Sequence, residues 1–132
     1  MAFAFMSLQT AVYQRLSSDI KLNELITGVY DHVPEDTPFP YVVIGEPIGN
    51  PFEVKILNVE EISLVIHVWS KYEGKKEAYD ILNACHNAMK YKLDVQGYKV
   101  ERTQWENAKV FDDIDGVKKH GVVTLRFILT KE

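Results

Sequence analysis

Clustered carboxylates, imidazoles and a thiol are the side chains here whose chemistry goes beyond packing, so their spacing is the first thing to weigh. Asp112-Asp113-Ile114-Asp115-Gly116 places acids where a calcium loop would. The alternating oxygen ligands and closing glutamate of an EF-hand are missing, however, and Asp-Gly between two extended runs is the signature of a tight hairpin turn. The histidines His32, His67, His86 and His120 fall on a loop, a strand, a helix and a strand start, with no His-x-x-x-His or Cys-His spacing to chelate a metal. Glu60-Glu61 and Asp112-Asp113 are sequence neighbours, which point apart on a strand or turn and do not form an acid/base pair. No serine sits in a nucleophile elbow, and the seven glycines are dispersed and build no phosphate loop. The expectation is a protein without catalytic residues, bound metal or cofactor.

Composition narrows the class further. The 132 residues are 46% hydrophobic and 26% charged, enough for one domain, residues 1–132, with a core that needs no disulfide. The one cysteine, Cys85, lies on the apolar side of a helical pattern and reads as a small buried hydrophobe in a reducing compartment. A formal net charge of -4, from 15 basic and 19 acidic side chains, disfavours specific nucleic-acid binding, because the cations are scattered. No apolar run approaches the roughly 20 residues that span a bilayer, and the opening Met-Ala-Phe-Ala-Phe-Met lacks the basic start of a signal peptide.

The elements follow from periodicity. The central one is Val59 to Ser70, where Ile62, Leu64, Ile66 and Val68 share one strand face. The other face, Glu61, Ser63, Val65, His67 and Trp69, is too apolar for open solvent and too polar for a second core. That pattern predicts a mid-sheet strand whose outer face is covered in part by this chain or by another copy.

Ahead of it, Ser7 is the expected cap of a helix over residues 8–17, with Leu8, Ala11, Val12 and Leu16 inward; Ser17-Ser18-Asp19 then caps a further short turn. Phe3 and Phe5 either staple back over that helix or form an arm that docks on a neighbour. Val29-Tyr30 starts a short extended piece, and Pro34, Pro38 and Pro40 make the following connection stiff. Tyr41 to Glu46 is a buried strand.

Between Pro47 and Asn58 a long connection alternates Phe52, Val54 and Ile56 with Glu53, Lys55 and Leu57. It reads as a protruding arm whose apolar side chains need a partner. Ser70 or Gly74 caps a second helix with the stripe Ala78, Ile81, Leu82, Cys85, Ala88 and Met89. Tyr98 to Lys109 has polar residues on both faces, with Val100, Arg102, Gln104, Glu106 and Ala108 on one and Trp105 on the other, which suits an edge or interface strand. Val117 to Thr130 closes the chain with Val123, Leu125, Phe127 and Leu129 inward. Trp69 and Trp105 are read as core or subunit-interface aromatics, since the acidic balance and the absence of an RNP pattern argue against base stacking. The fold class expected is α+β: a mixed, mainly antiparallel sheet of four to five strands with two main helices packed on one face.

In order and spacing the chain resembles the tail-completion family of long-tailed bacteriophages, the tail terminators or tail-to-head joining proteins. The likeness is carried by the Leu8 to Leu16 helix, Val29-Tyr30-Asp31-His32-Val33-Pro34, and Pro38-Phe39-Pro40-Tyr41-Val42-Val43-Ile44-Gly45. Val65-Ile66-His67-Val68-Trp69-Ser70, Gly74 with the Ala78 helix, and Asp115-Gly116 with His120-Gly121 continue it. The resemblance implies a structural virion protein, a homo-oligomeric ring, typically hexameric, that caps the tail tube and joins it to the head connector or stopper. Its place would be the tail-head junction, after assembly in the host cytoplasm, with DNA passing through the bore. Interface candidates are Phe3, Phe5, Phe52, Val54, Ile56, Leu57, Trp69 and Trp105. The alternatives are a head-completion or minor tail subunit, or a small cytoplasmic α+β domain that binds a ligand or nucleic acid.

Overall fold

A computed structural model describes residues 3–50 and 58–132. The elements run α1 (Phe5–Ser18), α2 (Ile20–Asn23), β1 (Val29–Tyr30), β2 (Tyr41–Asn50), β3 (Val59–Ser70), α3 (Lys76–Ala88), β4 (Tyr98–Asp112) and β5 (Lys119–Lys131). The strands form a single sheet in the order β1-β2-β3-β5-β4, parallel only between β1 and β2. This is the α+β architecture expected, with five strands.

β3 is the middle strand. It pairs with β5 from Val59 against Thr130 to Ser70 against Lys119 without a break, so the two strands keep the same alternation. Ile62, Leu64, Ile66 and Val68 on β3, and Val123, Leu125, Phe127 and Leu129 on β5, are all buried. Leu8, Ala11, Val12 and Leu16 of α1 and Ala78, Ile81, Leu82 and Cys85 of α3 belong to the same core. Cys85 is a packed hydrophobe whose thiol burial pushes up to about 12.

Two helix starts differ from the sequence expectation. α1 begins before Ser7, at Phe5, with Ala4 in the capping position and no side-chain cap from its own turn. The Ala4 amide donates instead to the Glu60 carboxylate of β3, at 3.1 Å to Oε2. A carboxylate there satisfies an orphan amide and complements the positive end of the helix. α3 begins at Lys76, with neither Ser70 nor Gly74 capping it. Ser70 is fully buried; its hydroxyl donates to Glu77 at 2.6 Å and accepts from the Tyr72 amide at 3.1 Å. α2 has the Asp19 cap expected, accepting from Leu22 at 2.9 Å.

The end of α3 is held across the core by α1. The Arg15 guanidinium donates to the carbonyl of Ala88, the last residue of α3, and to those of Tyr91 and Lys92 just beyond it, each at 2.9 Å; the first is an acceptor that a helix end leaves without a partner.

β2 runs past Glu46 to Asn50, so Pro47–Asn50 belong to the sheet and pair with Glu61 to Leu64. A register shift between Ile44 and Pro47 admits the proline, which a regular interior strand excludes. β4 carries two further shifts, at Val100/Arg102 and Trp105/Asn107. These break the simple alternation read from sequence. Val100, Thr103, Trp105 and Ala108 oppose the inward residues Leu129, Phe127, Leu125 and Val123, whereas Arg102 and Gln104 oppose the outward Ile128 and Arg126.

Replacing Phe127, fully buried at the centre of β5, with alanine is expected to lower unfolding free energy by about 3–5 kcal/mol in urea titrations. Arg15→Met, which keeps the stem and removes the donors, is expected to cost about 1.5–3 kcal/mol in the same measurement.

Candidate assembly surface

Both helices lie on one side of the sheet, and the other side carries no helix of the described chain. Along β3 and β5 its residues alternate with the core and are half-buried. They divide into zones.

At one end is an aromatic and imidazole cluster built from five elements or their flanks. Tyr41 of β2 lies opposite Trp69 of β3, and Trp69 lies opposite His120 of β5, with the indole and imidazole rings stacked at 3.9 Å between centroids and 13° between planes. Phe111 of β4 closes on His120 at 4.8 Å, while Tyr30 and Phe39 pack on Tyr41 at 5.9 and 4.9 Å. Lys71 lies over the Phe39 ring and Lys109 over Phe111. At the centre Val43, Val65 and Val122 surround His67. At the far end Arg126 reaches Glu61 at 3.7 Å, Glu106 at 4.0 Å and Gln104 at 3.4 Å.

His67 Nδ1 and His120 Nε2 stand 2.8 Å apart, a hydrogen bond that needs one ring to donate and the other to accept. Two imidazolium ions could not share it. Burial holds His67 below the ordinary histidine range, and burial and then the His67 charge do the same to His120; Asp113 opposes this and Lys109 adds to it.

The acidic run at 112–116 is a turn. The Asp115 carboxylate accepts from the Lys118 and Val117 amides, which hold its pKa down at about 2, and Gly116 takes a positive φ of 69°. Among the described residues no group of three or more His, Cys, Asp and Glu is placed to hold a metal.

The interface candidates fall in different places. Phe5 opens α1 and packs against the core, and its ring is 3.3 Å from where a Gly49 Cβ would stand. Phe3 stacks on Phe5 at 5.2 Å and stays exposed. Trp69 sits in the outer cluster. Trp105 is on the helix side, 55% exposed, with its ring 6.1 Å from that of His86 of α3 over a hollow of about 190 Å³. The two tryptophans therefore mark opposite faces. Phe52, Val54, Ile56 and Leu57 lie outside the described residues.

Sequence reading did not find the His67–His120 pair or the Tyr41, Phe39 and Phe111 partners. Each sits at outward parity on its strand or beside it, but which residues meet is decided by register, which a single sequence does not display.

The model of the family described as tail completion protein gp17 matches residues 10–130. The chain belongs to that family. The tail completion protein gp17 of Bacillus phage SPP1 is 36% identical over 124 residues, which cover 93% of this chain and 92% of the relative. The solved structure of bacteriophage SPP1 gp17 aligns with a TM-score of 0.66 over 98% of this chain and 91% of that one. A chain of the virion of a native gene transfer agent particle, 25% identical, aligns with a TM-score of 0.88 over 98% of this chain and 99% of that one. Membership of a tail completion family makes this a tail structural protein of the phage type.

Because both imidazoles titrate below the value of 6.5 that an unfolded histidine has, the unfolded chain takes up these protons first as pH falls. Stability from the neutral pair is present above pH 6.5 and is lost below it. Urea midpoints are expected to fall between pH 7.5 and 5.5, and to fall less in His67→Gln.

Proposed function

We propose that the chain is a tail terminator, or tail-to-head joining subunit, copies of which form a hexameric ring on the end of the tail tube. The ring joins the tube to the head connector or stopper, lets DNA pass through its bore, and catalyses nothing. It acts at the tail-head junction of the virion after assembly in the host cytoplasm.

The observation that carries this reading is the bare sheet face. Tyr41, Val43, Val65, Trp69, Val122 and Ile128 are outward-facing and only half-buried, although the sheet already has both helices on its other side. A contiguous surface of this composition on a small domain marks a contact with protein. The family supports a place in the tail, and the negative formal charge suits a bore that must not retain DNA. A ring needs two unlike contact surfaces on each copy, because only a heterologous contact closes around an axis with more than two members. The outer sheet face and the stretch Phe52, Val54 and Ile56, which lies outside the described residues, are proposed as the two.

Deletion of Phe52 to Ile56 is expected to leave far-ultraviolet circular dichroism and the unfolding midpoint close to those of the parent chain and to abolish completion of tails, scored by infectious titre and electron microscopy. Full completion by the shortened chain would remove that stretch from the account. Light scattering on the purified parent chain is expected to give either a hexamer or a monomer that becomes a ring only on tail tubes.

A further inference from the structure

We propose that the His67–His120 pair makes docking of the outer sheet face depend on pH: an apolar, uncharged surface of a partner protein covers the face only while both imidazoles are neutral. The inference rests on the reading of this face as an assembly surface and says what controls its closure.

The surroundings of the pair are mostly apolar. His67 lies between Val43 of β2 and Val122 of β5, with Val65 two residues back on the same face. His120 is stacked on Trp69 at 3.9 Å and has the Phe111 ring 4.8 Å away. On the β2 side a Cβ on Gly45 would stand 2.8 Å from His67 Nε2, so backbone borders that nitrogen. Charged and titratable groups approach from each neighbouring element. Asp31 beyond β1, Glu46 of β2 and the neutral Gln9 of α1 line, with His67, a hollow of about 550 Å³. Tyr41 of β2, opposite Trp69, is pushed away from ionisation by burial against the pull of Lys118. Asp113 of the hairpin turn and Lys109 of β4 act on His120 in opposite directions. Among the described residues no carboxylate forms an ion pair with either imidazole.

The 2.8 Å separation of the two ring nitrogens holds one shared proton. A further proton makes the pair a cation, which in the free chain is solvated through the half-exposed face. A partner laid over the valines takes that water away. An apolar partner returns neither a hydrogen bond nor a counter-charge, so the covered pair holds the extra proton more weakly than the uncovered pair does. Covering therefore releases protons. Both rings titrate below 6.5 in the free chain, so the contact is at full strength well above that pH. As pH falls through the range of the uncovered pair, it weakens by up to about ten-fold per pH unit. A partner carboxylate facing the pair would hold the proton in place and reverse the sign. Val43, Val65, Val122 and the stacked indole are surface that an apolar partner matches and a carboxylate does not.

The test adds the purified chain to tails that lack it, between pH 7.5 and 5.5 and within the range where its far-ultraviolet circular dichroism is unchanged. The half-saturating concentration of the parent chain is expected to rise at least about five-fold towards the acid end, and that of a His67→Gln, His120→Gln chain less than about two-fold. No rise in the parent, an equal rise in the double variant, or tighter docking in acid overturns the proposal. Proton release covers the case of a double variant that does not fold. It is measured by calorimetry at pH 6.0 in two buffers of different ionisation enthalpy, on a His32→Gln, His86→Gln chain whose remaining imidazoles are the pair. Release on assembly is expected; none, or uptake, overturns the coupling. Protection of Trp69 from hydroxyl radicals at a fixed, half-saturating chain concentration separates the two levels of the account. Equal protection at both ends of the pH range rejects the coupling and leaves the assembly reading standing, whereas no protection even at pH 7.5 rejects both.

Discussion

The unbroken ladder between β3 and β5 is the constraint on which the rest depends. With Val59 through Ser70 paired residue for residue against Thr130 through Lys119, the alternation of both strands is locked in phase. A slip of one position would put the strands out of phase and turn one inward set outside, either Ile62, Leu64, Ile66 and Val68 or Val123, Leu125, Phe127 and Leu129. Both helices must then lie on the side where those residues point, and Arg15 and Glu60 tie the helix ends to that arrangement. The cost of this solution is a second face for which the chain has no helix left.

That second face is zoned, and the zones differ in what they can contribute to a contact. The aromatic end offers large rigid rings with little conformational entropy to lose, of the kind that anchors protein interfaces. The Arg126 end offers charges that set orientation more than affinity. Between them the His67–His120 pair sits among valines, both held below the ordinary histidine range by burial, and His120 by the His67 charge as well. On the opposite side of the sheet Trp105 is exposed beside His86, so the molecule presents apolar surface in two directions.

Much of the fold was legible in the sequence where periodicity is strong. The inward residues of β3 and β5, the apolar stripe of α3 and the Asp19 cap all follow from spacing alone. Tertiary contacts decided the rest. The start of α1 is set by Glu60, a partner 56 positions away in sequence, so no local cap could reveal it. The faces of β4 are set by two bulges, which put Trp105 on the helix side, and bulges leave no mark in hydrophobic alternation. The sequence reading ended β2 at Glu46, whereas an edge strand with a register shift carries Pro47 to Asn50 on into the sheet. Of the assembly surface, the mixed character of the β3 outer face was readable; the pairing of His67 with His120 depends on register and was not.

The central claim is that the face left bare by the chain's own helices is covered by other protein when the tail is completed. Hydroxyl-radical footprinting of the free chain against assembled particles, read by mass spectrometry at Trp69, Val65 and Val122, tests it most directly. The account predicts strong protection of these residues on assembly, with Tyr91, exposed on the helix side, less changed. Equal reactivity of Trp69, Val65 and Val122 in both states would contradict it.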